Sequence, residues 1–282
     1  MKEYTLKDGT VLAYDEIGTG RPVLFLPGWA SERKAAFGHI LPVIGKEYRA
    51  ICYDQRGSGE TSPSRTRPVT VEMLVDDIHE VLRGLNLKDC TVVGHSMGGS
   101  EMMYYVDKYG CDEEYIHSIV LIDISPRTTK DPDDPLWTLG MYRGEHTLEG
   151  GLRDYEVMKT DFRKWYETLV CASRPYMKEV PREEFNTFID QCLKNFKQDE
   201  QVELYLSTLY VDVRSSLPKF TVPTAYFYAD PGSLYFPELA NYYGEKIANA
   251  SYTPVSFASN THAFPVQMAE QFCESLLEFL KQ

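Results

Sequence analysis

The sequence predicts an α/β protein, a mostly parallel sheet covered by helices on both faces and interrupted by a helical insertion. Three observations carry that expectation. Short apolar or β-branched runs alternate with amphipathic stretches over residues 1–125 and again over 219–282. Between Pro126 and Pro218 the strands stop and three helical patterns follow one another. Gly94-His95-Ser96-Met97-Gly98-Gly99 joins a run that reads as a buried strand, Cys90–Val93, to one that reads as a helix from Ser100.

Taken in order, Lys2–Lys7 and Val11–Glu16 read as strands joined at Asp8-Gly9, a hairpin signal. Pro22–Leu26 is continuously apolar, as a strand buried on both faces must be, and ends in Pro27-Gly28-Trp29-Ala30-Ser31. Glu32–Ile44 has helical spacing, and Arg49–Asp54 is the next strand, followed by the loop Gln55-Arg56-Gly57-Ser58-Gly59. Val71–Leu85 carries Leu74, Ile78, Val81, Leu82 and Leu85 on one helical face. Ser118–Ile122 is a further buried strand that ends at Asp123.

In the insertion, Tyr155, Met158, Phe162, Trp165/Tyr166 and Leu169 share one helical face. Phe185, Phe188/Ile189, Cys192 and Phe196 mark a second helix, and Val202, Leu206, Leu209/Tyr210 and Val213 a third. Val222–Ala229 and Tyr252–Phe257 are strands, Pro237–Ile247 and Val266–Lys281 helices. The expected organisation is a core domain of residues 1–125 and 219–282 with a helical cap of residues 126–218.

A net charge of −13 argues against nucleic acid or an anionic membrane as a partner and leaves a small molecule as the expected one. The opening Met1-Lys2-Glu3-Tyr4-Thr5 is polar, unlike a signal peptide, and no apolar run is long enough to span a bilayer. The six cysteines are scattered without a C-x-x-C pair, which suggests a reducing cytoplasm. No His/Asp/Cys cluster has metal-ligand spacing, and neither metal nor cofactor is expected.

Serine between glycines at a strand-to-helix junction is the G-x-S-x-G nucleophile elbow. The tight turn puts the Ser96 hydroxyl at a helix N-terminus, where free N–H groups and the helix dipole favour developing negative charge. A serine hydroxyl is a poor nucleophile until a base takes its proton. His262, just past a strand in the C-terminal half, stands where such a base could act. His39, His79, His117 and His146 read as ordinary polar or half-buried residues, and His95 is expected to point away from the reacting carbon.

The order strand–PGW, strand–DQRGSG, strand–GHSMGG, cap, strand, strand–NTH–helix resembles the α/β-hydrolase family over nearly the whole chain. The resemblance implies an eight-stranded, mostly parallel sheet with a helical lid, and acyl hydrolysis as the commonest activity. It matches Ser96 to the nucleophile and His262 to the base. It matches the Met97 and Trp29 amides to the oxyanion hole, although many relatives have His where Pro27 stands here. Asp54 and the Arg56–Gly59 loop then brace the floor of the site.

The acid is less regular. The family's usual position lies after the Val222–Ala229 strand, where this chain reads Ala229-Asp230-Pro231-Gly232-Ser233-Leu234. Asp230 falls early, and Gly232 or Ser233 occupies the usual place. The stretch is similar to one in some haloalkane dehalogenases, whose acid ends the strand after the elbow helix. Asp123 holds that place, so Asp123 is favoured with Asp230 as the alternative. Those dehalogenases use an aspartate nucleophile where Ser96 stands.

Trp137, Met141, Phe162, Trp165 and Tyr166 of the cap are expected to line an apolar substrate pocket. The leading expectation is a serine hydrolase acting on a small or medium carboxylic ester through an acyl-enzyme. Carbon–carbon bond hydrolysis, a lyase using the same triad, and a non-catalytic small-molecule receptor of the same fold remain open.

Overall fold

The computed structural model describes residues 1–134 and 137–282. Its eight strands are β1 (Lys2–Thr5), β2 (Val11–Ile17), β3 (Pro22–Leu26), β4 (Arg49–Tyr53), β5 (Cys90–His95), β6 (Ile116–Ile122), β7 (Thr224–Pro231) and β8 (Tyr252–Ser259). They form one sheet in the order β1-β2-β4-β3-β5-β6-β7-β8. β2 runs antiparallel to β1 and β4, and every other pair is parallel. The chain steps outward from β3 to β4, then crosses back to place β5 on the other side of β3. That reversal opens a crevice at the carboxyl ends of β3 and β5, where ligands bind in sheets of this kind. The Pro27–Ser31 turn and the Ser96 elbow leave from those two ends.

Alternation along each central strand sends successive side chains to opposite faces. Leu24, Leu26, Ile51 and Val92 pack with α3 (Val71–Gly84) and α4 (Met97–Tyr109) through Ile78, Val81, Met102 and Met103. Val23, Phe25, Ala50 and Val93 pack on the other face with α1 (Arg33–Phe37), α2 (Leu41–Ile44) and the C-terminal helices. Each fully buried Leu, Val or Phe contributes about 1.5–3 kcal/mol, which is why the central strands carry no polar alternation.

The helical block contains α5 (Leu148–Ser173), α6 (Arg182–Lys194) and α7 (Gln198–Thr208). α5 breaks at Asp161, whose carboxylate caps the Lys164 amide at 3.0 Å. An isolated antiparallel bridge between Arg127 and Asp212 ties the two ends of the block together. The chain then returns through α8 (Leu239–Lys246), α9 (Phe264–Gln267) and α10 (Ala269–Leu280).

Two expected helices are each divided. The Glu32–Ile44 stretch stops at Gly38, which closes α1 on the Lys34 carbonyl, and restarts with Pro42 in the first turn of α2. The last helix breaks at Met268, whose φ/ψ of −116°/41° is not helical. Among the described residues no helix is long and apolar enough to cross a membrane.

Candidate active site

Ser96 sits between β5 and α4 with φ 54° and ψ −122°, a strained conformation for a residue with a side chain. Two close approaches enforce the turn. A Cβ on Gly94 would stand 2.4 Å from the Gly98 carbonyl oxygen, and one on Gly98 the same distance from that of Leu26. The Met97 amide opens α4, and the Trp29 amide lies in the turn after β3. Among the described residues neither has an acceptor.

The Trp29–Ala30 turn is held from the cap. Gln201 on α7 accepts the Ala30 amide through Oε1 at 3.2 Å, and its carbonyl accepts the Trp29 indole N–H at 3.2 Å. Its Nε2 donates to Ser58 Oγ at 3.0 Å, so one side chain joins the cap to two core loops.

His262 follows β8 and is buried. Its Nδ1 lies 2.6 Å from Oδ2 of Asp123, which is 1% exposed at the end of β6. A carboxylate accepts, so Nδ1 carries a proton, and in the neutral ring the lone pair is then on Nε2. Nε2 is buried and has no hydrogen-bond partner among the described residues. The same Asp123 oxygen accepts a hydrogen bond from Ser233 Oγ. Asp230 is exposed at the end of β7, paired in register with Ala258, and makes no hydrogen bond to His262. Of the two acids left open by the sequence, the fold therefore brings Asp123 to the imidazole, with Ser233, one of the two residues read at the usual acid position, bonded to it.

The backbone of the His262 loop is anchored to the cap. The His262 amide and the Thr261 hydroxyl both donate to the Ser173 carbonyl at the end of α5, at 2.9 and 3.0 Å. His95 does more than point aside. Its Nε2 donates to the His262 carbonyl at 3.0 Å, and the two rings lie tilted at 33° with centroids 4.6 Å apart. Burial, with the neighbouring imidazole, holds His95 well below the usual histidine range, so it supports His262 as a neutral ring.

Ser96 and His262 open into one cavity of about 130 Å³. No hydrogen bond joins Ser96 Oγ to His262 Nε2, and such contacts commonly tighten only when substrate is bound. Met141, Trp165 and Tyr166, read from the sequence as pocket residues, line this cavity, together with Trp29 and Met97, read as oxyanion-hole donors.

Trp137 and Phe162 do not line it. The Trp137 indole donates to the Arg127 carbonyl, and its ring lies between Tyr242 and the Arg214 guanidinium. Phe162 stands one turn before Trp165, beside the break in α5, and packs behind Trp29 and Tyr166. Sequence reasoning missed Tyr205, Arg174 and His146, which do line it. Tyr205 lies beside the apolar face of α7. His146 sits in an irregular segment where no periodicity tells direction.

Asp54 is buried away from the cavity. It accepts the Arg33 and Glu60 amides at 2.7 and 2.8 Å and pairs with the Arg33 guanidinium. Arg56 forks onto Asp77 at 2.6 and 2.8 Å, fixing the loop below the elbow. Among the described residues no group of three or more His, Cys, Asp or Glu side chains could hold a metal ion.

Residues 21–277 match the family model described as alpha/beta hydrolase fold, and the chain belongs to that family. It is 35% identical over 133 residues to the non-heme chloroperoxidase CPO-A1 of Kitasatospora aureofaciens, covering 46% of this chain and 47% of that protein. The chain thus spans less than half the length of the haloperoxidase relatives it matches. It is 27% identical over 213 residues to the strigolactone esterase D14 of Arabidopsis thaliana, covering 74% of this chain and 73% of that one. Among solved structures, a bromoperoxidase from Bacillus anthracis superposes over 100% of both chains with a TM-score of 0.82 and 24% identity. The esterase EaEST from Exiguobacterium antarcticum gives 0.81 and 24% over 99% of both. At these identities the structures share the fold alone.

Proposed function

We propose that this protein is a serine hydrolase of small carboxylic esters, with Ser96 as nucleophile, His262 as general base and Asp123 as the acid that orients it. The observation that carries the reading is the imidazole itself. It is tied through Nδ1 to a buried carboxylate, its Nε2 has no partner among the described residues, and the residue lines the same cavity as Ser96.

In this reading Nε2 takes the Ser96 proton as Oγ attacks the ester carbonyl carbon. Asp123 stabilises the imidazolium that forms. The Met97 and Trp29 amides, free of acceptors, receive the oxyanion. The imidazolium then protonates the leaving alkoxide, and water repeats the sequence on the acyl-enzyme. The cavity of about 130 Å³ and its aromatic wall favour short acyl and alcohol groups.

A fluorophosphonate probe tests the nucleophile. Wild type is expected to label at Ser96 and Ser96→Ala not at all, while p-nitrophenyl esters lose kcat/KM as the acyl chain lengthens. An unlabelled wild-type protein sinks the reading.

A second reading has support from relatives aligned over 213 residues, among them the karrikin insensitive 2 receptor B of Petunia hybrida at 25% identity. In it the same cavity holds a small ligand and the serine turns it over rarely. Stoichiometric labelling at Ser96 with negligible turnover across the ester series would favour the receptor.

A further inference from the structure

The cavity that holds Ser96 has one permanently charged side chain in its wall, and acyl transfer does not use it. Among the described residues Arg174 lines the cavity with no Asp, Glu or Lys and no second Arg beside it. The chain carries 42 acidic residues against 29 basic ones, so acids are plentiful. Elsewhere in the cap Arg163 pairs with Glu167 and Asp190, and Arg182 with Glu167. Among the described residues Arg174 makes no ion pair, and its one side-chain hydrogen bond runs from Nη1 to Ser173 Oγ at 3.3 Å. Its other N–H groups have no acceptor and are not sealed in protein.

The guanidinium is held at the cavity from several sides. Arg174 follows the last residue of α5, and its amide donates to the Val170 carbonyl at 2.9 Å. The preceding carbonyl, that of Ser173, accepts the His262 amide and the Thr261 hydroxyl, so the peptide group that carries Arg174 is tied to the loop of the base. The side chain is half-buried and lies over the Phe188 ring, 6.0 Å from its centroid. Ser173, its hydroxyl partner, is buried and lines the cavity. Burial raises the pKa of Tyr166 and lowers that of His95, and the positive charge of Arg174 is felt at both of these wall residues. Glu32 also acts on Tyr166, but its Oε2 accepts Asn195 Nδ2 at 2.8 Å. A planar guanidinium with free donors matches a carboxylate, and an apolar wall strengthens such a pair.

We propose that Arg174 binds a carboxylate of the substrate, so that the ester cleaved at Ser96 is a monoester of a small dicarboxylic acid or an ester of a small hydroxy acid. This rests on the hydrolase reading of the same cavity. Two substrate pairs separate the sources of the carboxylate. Monoethyl succinate against ethyl isocaproate places it in the acyl part, and butyryloxyacetate against isobutyl butyrate places it in the alcohol part.

The ratio of kcat/KM for the anionic over the alkyl member of at least one pair is expected to fall about ten- to a hundredfold in Arg174→Leu, the size of a hydrogen bond to a charged group. Most of the loss should appear in KM, because the contact is present in ground and transition state alike. Arg174→Lys keeps the charge without the fork and should recover part of the ratio. Both rates come from one variant, so a partly folded preparation does not imitate the result. An unchanged ratio in both pairs, or no turnover of either anionic ester by wild type, overturns the proposal. A separate arm uses Ser96→Ala, which cannot turn over. The two anionic esters together cover both sources, and at least one should raise its melting temperature more than that of Ser96→Ala/Arg174→Leu. Equal rises for both esters overturn the proposal. If wild type neither labels nor hydrolyses any ester, the hydrolase reading fails, and this binding arm alone decides the role of Arg174.

Discussion

Asp123 Oδ2 receives two donors, the His262 imidazole and the Ser233 hydroxyl. The carboxylate therefore needs the hydroxyl to complete its coordination but not to orient the base. In the proposed mechanism Asp123→Asn offers an amide where an acceptor is required and selects the wrong imidazole tautomer. Turnover should fall by about 10⁴-fold, as in other triads of this chemistry. Ser233→Ala removes one charge-assisted hydrogen bond, worth about 1.5–3 kcal/mol, and should cost roughly ten- to a hundredfold at most. Asp230→Asn, on an exposed side chain, should leave steady-state turnover near wild type. An Asp230→Asn defect as deep as that of Asp123→Asn would refute this assignment. Ser96 was readable from local sequence because strand, glycines and helix are contiguous. The acid was not, because its choice depends on where the turn after β7 lands against the end of β6. Ser233 meets Asp123 across 110 positions of sequence, and no spacing rule announces that contact. His146 was unreadable for a related reason, since nothing in its neighbours distinguishes a solvated histidine from a buried one.

At the scale of elements, the strands were legible and the cap's facing was not. A strand buried on both faces is apolar or β-branched along its length, so Pro22–Leu26 and Cys90–Val93, whose one hydroxyl on Thr91 pairs with Ser118, declare themselves. A cap helix is amphipathic too, but its apolar face serves both the packing of the cap and the lining of the cavity. Phe162 and Trp165 share that face and fall on different sides of the distinction. The same ambiguity hid the role of α7, whose Gln201 lies outside the apolar face read from the sequence and is 1% exposed. Because Gln201 holds the Ala30 amide and the Trp29 indole, α7 fixes the direction of the Trp29 amide next to them. A donor used only when the oxyanion forms affects kcat rather than KM. Gln201→Ala should therefore lower kcat by about tenfold, less than the 10²–10³ lost with a whole oxyanion donor. Gln201→Glu keeps the acceptor for Ala30 and should recover most of the rate. Steady-state kinetics of both variants read this directly, and a rise in KM at constant kcat would mean that α7 only shapes the pocket.

At the scale of the molecule, the elbow helix carries an ionisable group that the sheet and its loops seal from water. Glu101 on α4 is fully buried, with one oxygen accepting Gln55 Nε2 at 2.6 Å and the other without a partner among the described residues. Burial pushes its pKa well above the usual carboxylate value, so the native state keeps a proton that the unfolded chain releases near pH 4.5. The stabilisation from this group is complete below that pH and is lost as pH rises through the native value. His95 and His146 act in the opposite sense. Their native pKa values are lowered by burial, so their contribution is present above about pH 6.5 and is lost as pH falls through the native values. The fold is thus squeezed from the acid side by its buried imidazoles and from the alkaline side by Glu101. Glu101→Gln has the shape of the protonated acid and no proton to lose. Its melting temperature should decline less between pH 6 and pH 9 than that of wild type, with a difference of several degrees at the alkaline end, equivalent to roughly 1–3 kcal/mol. The net charge of −13 adds a repulsion that also grows with pH, but it is shared by both proteins below the point where Glu101 ionises. Subtracting one melting profile from the other isolates the buried carboxyl, and parallel profiles across this range would show that Glu101 keeps the same protonation state on unfolding.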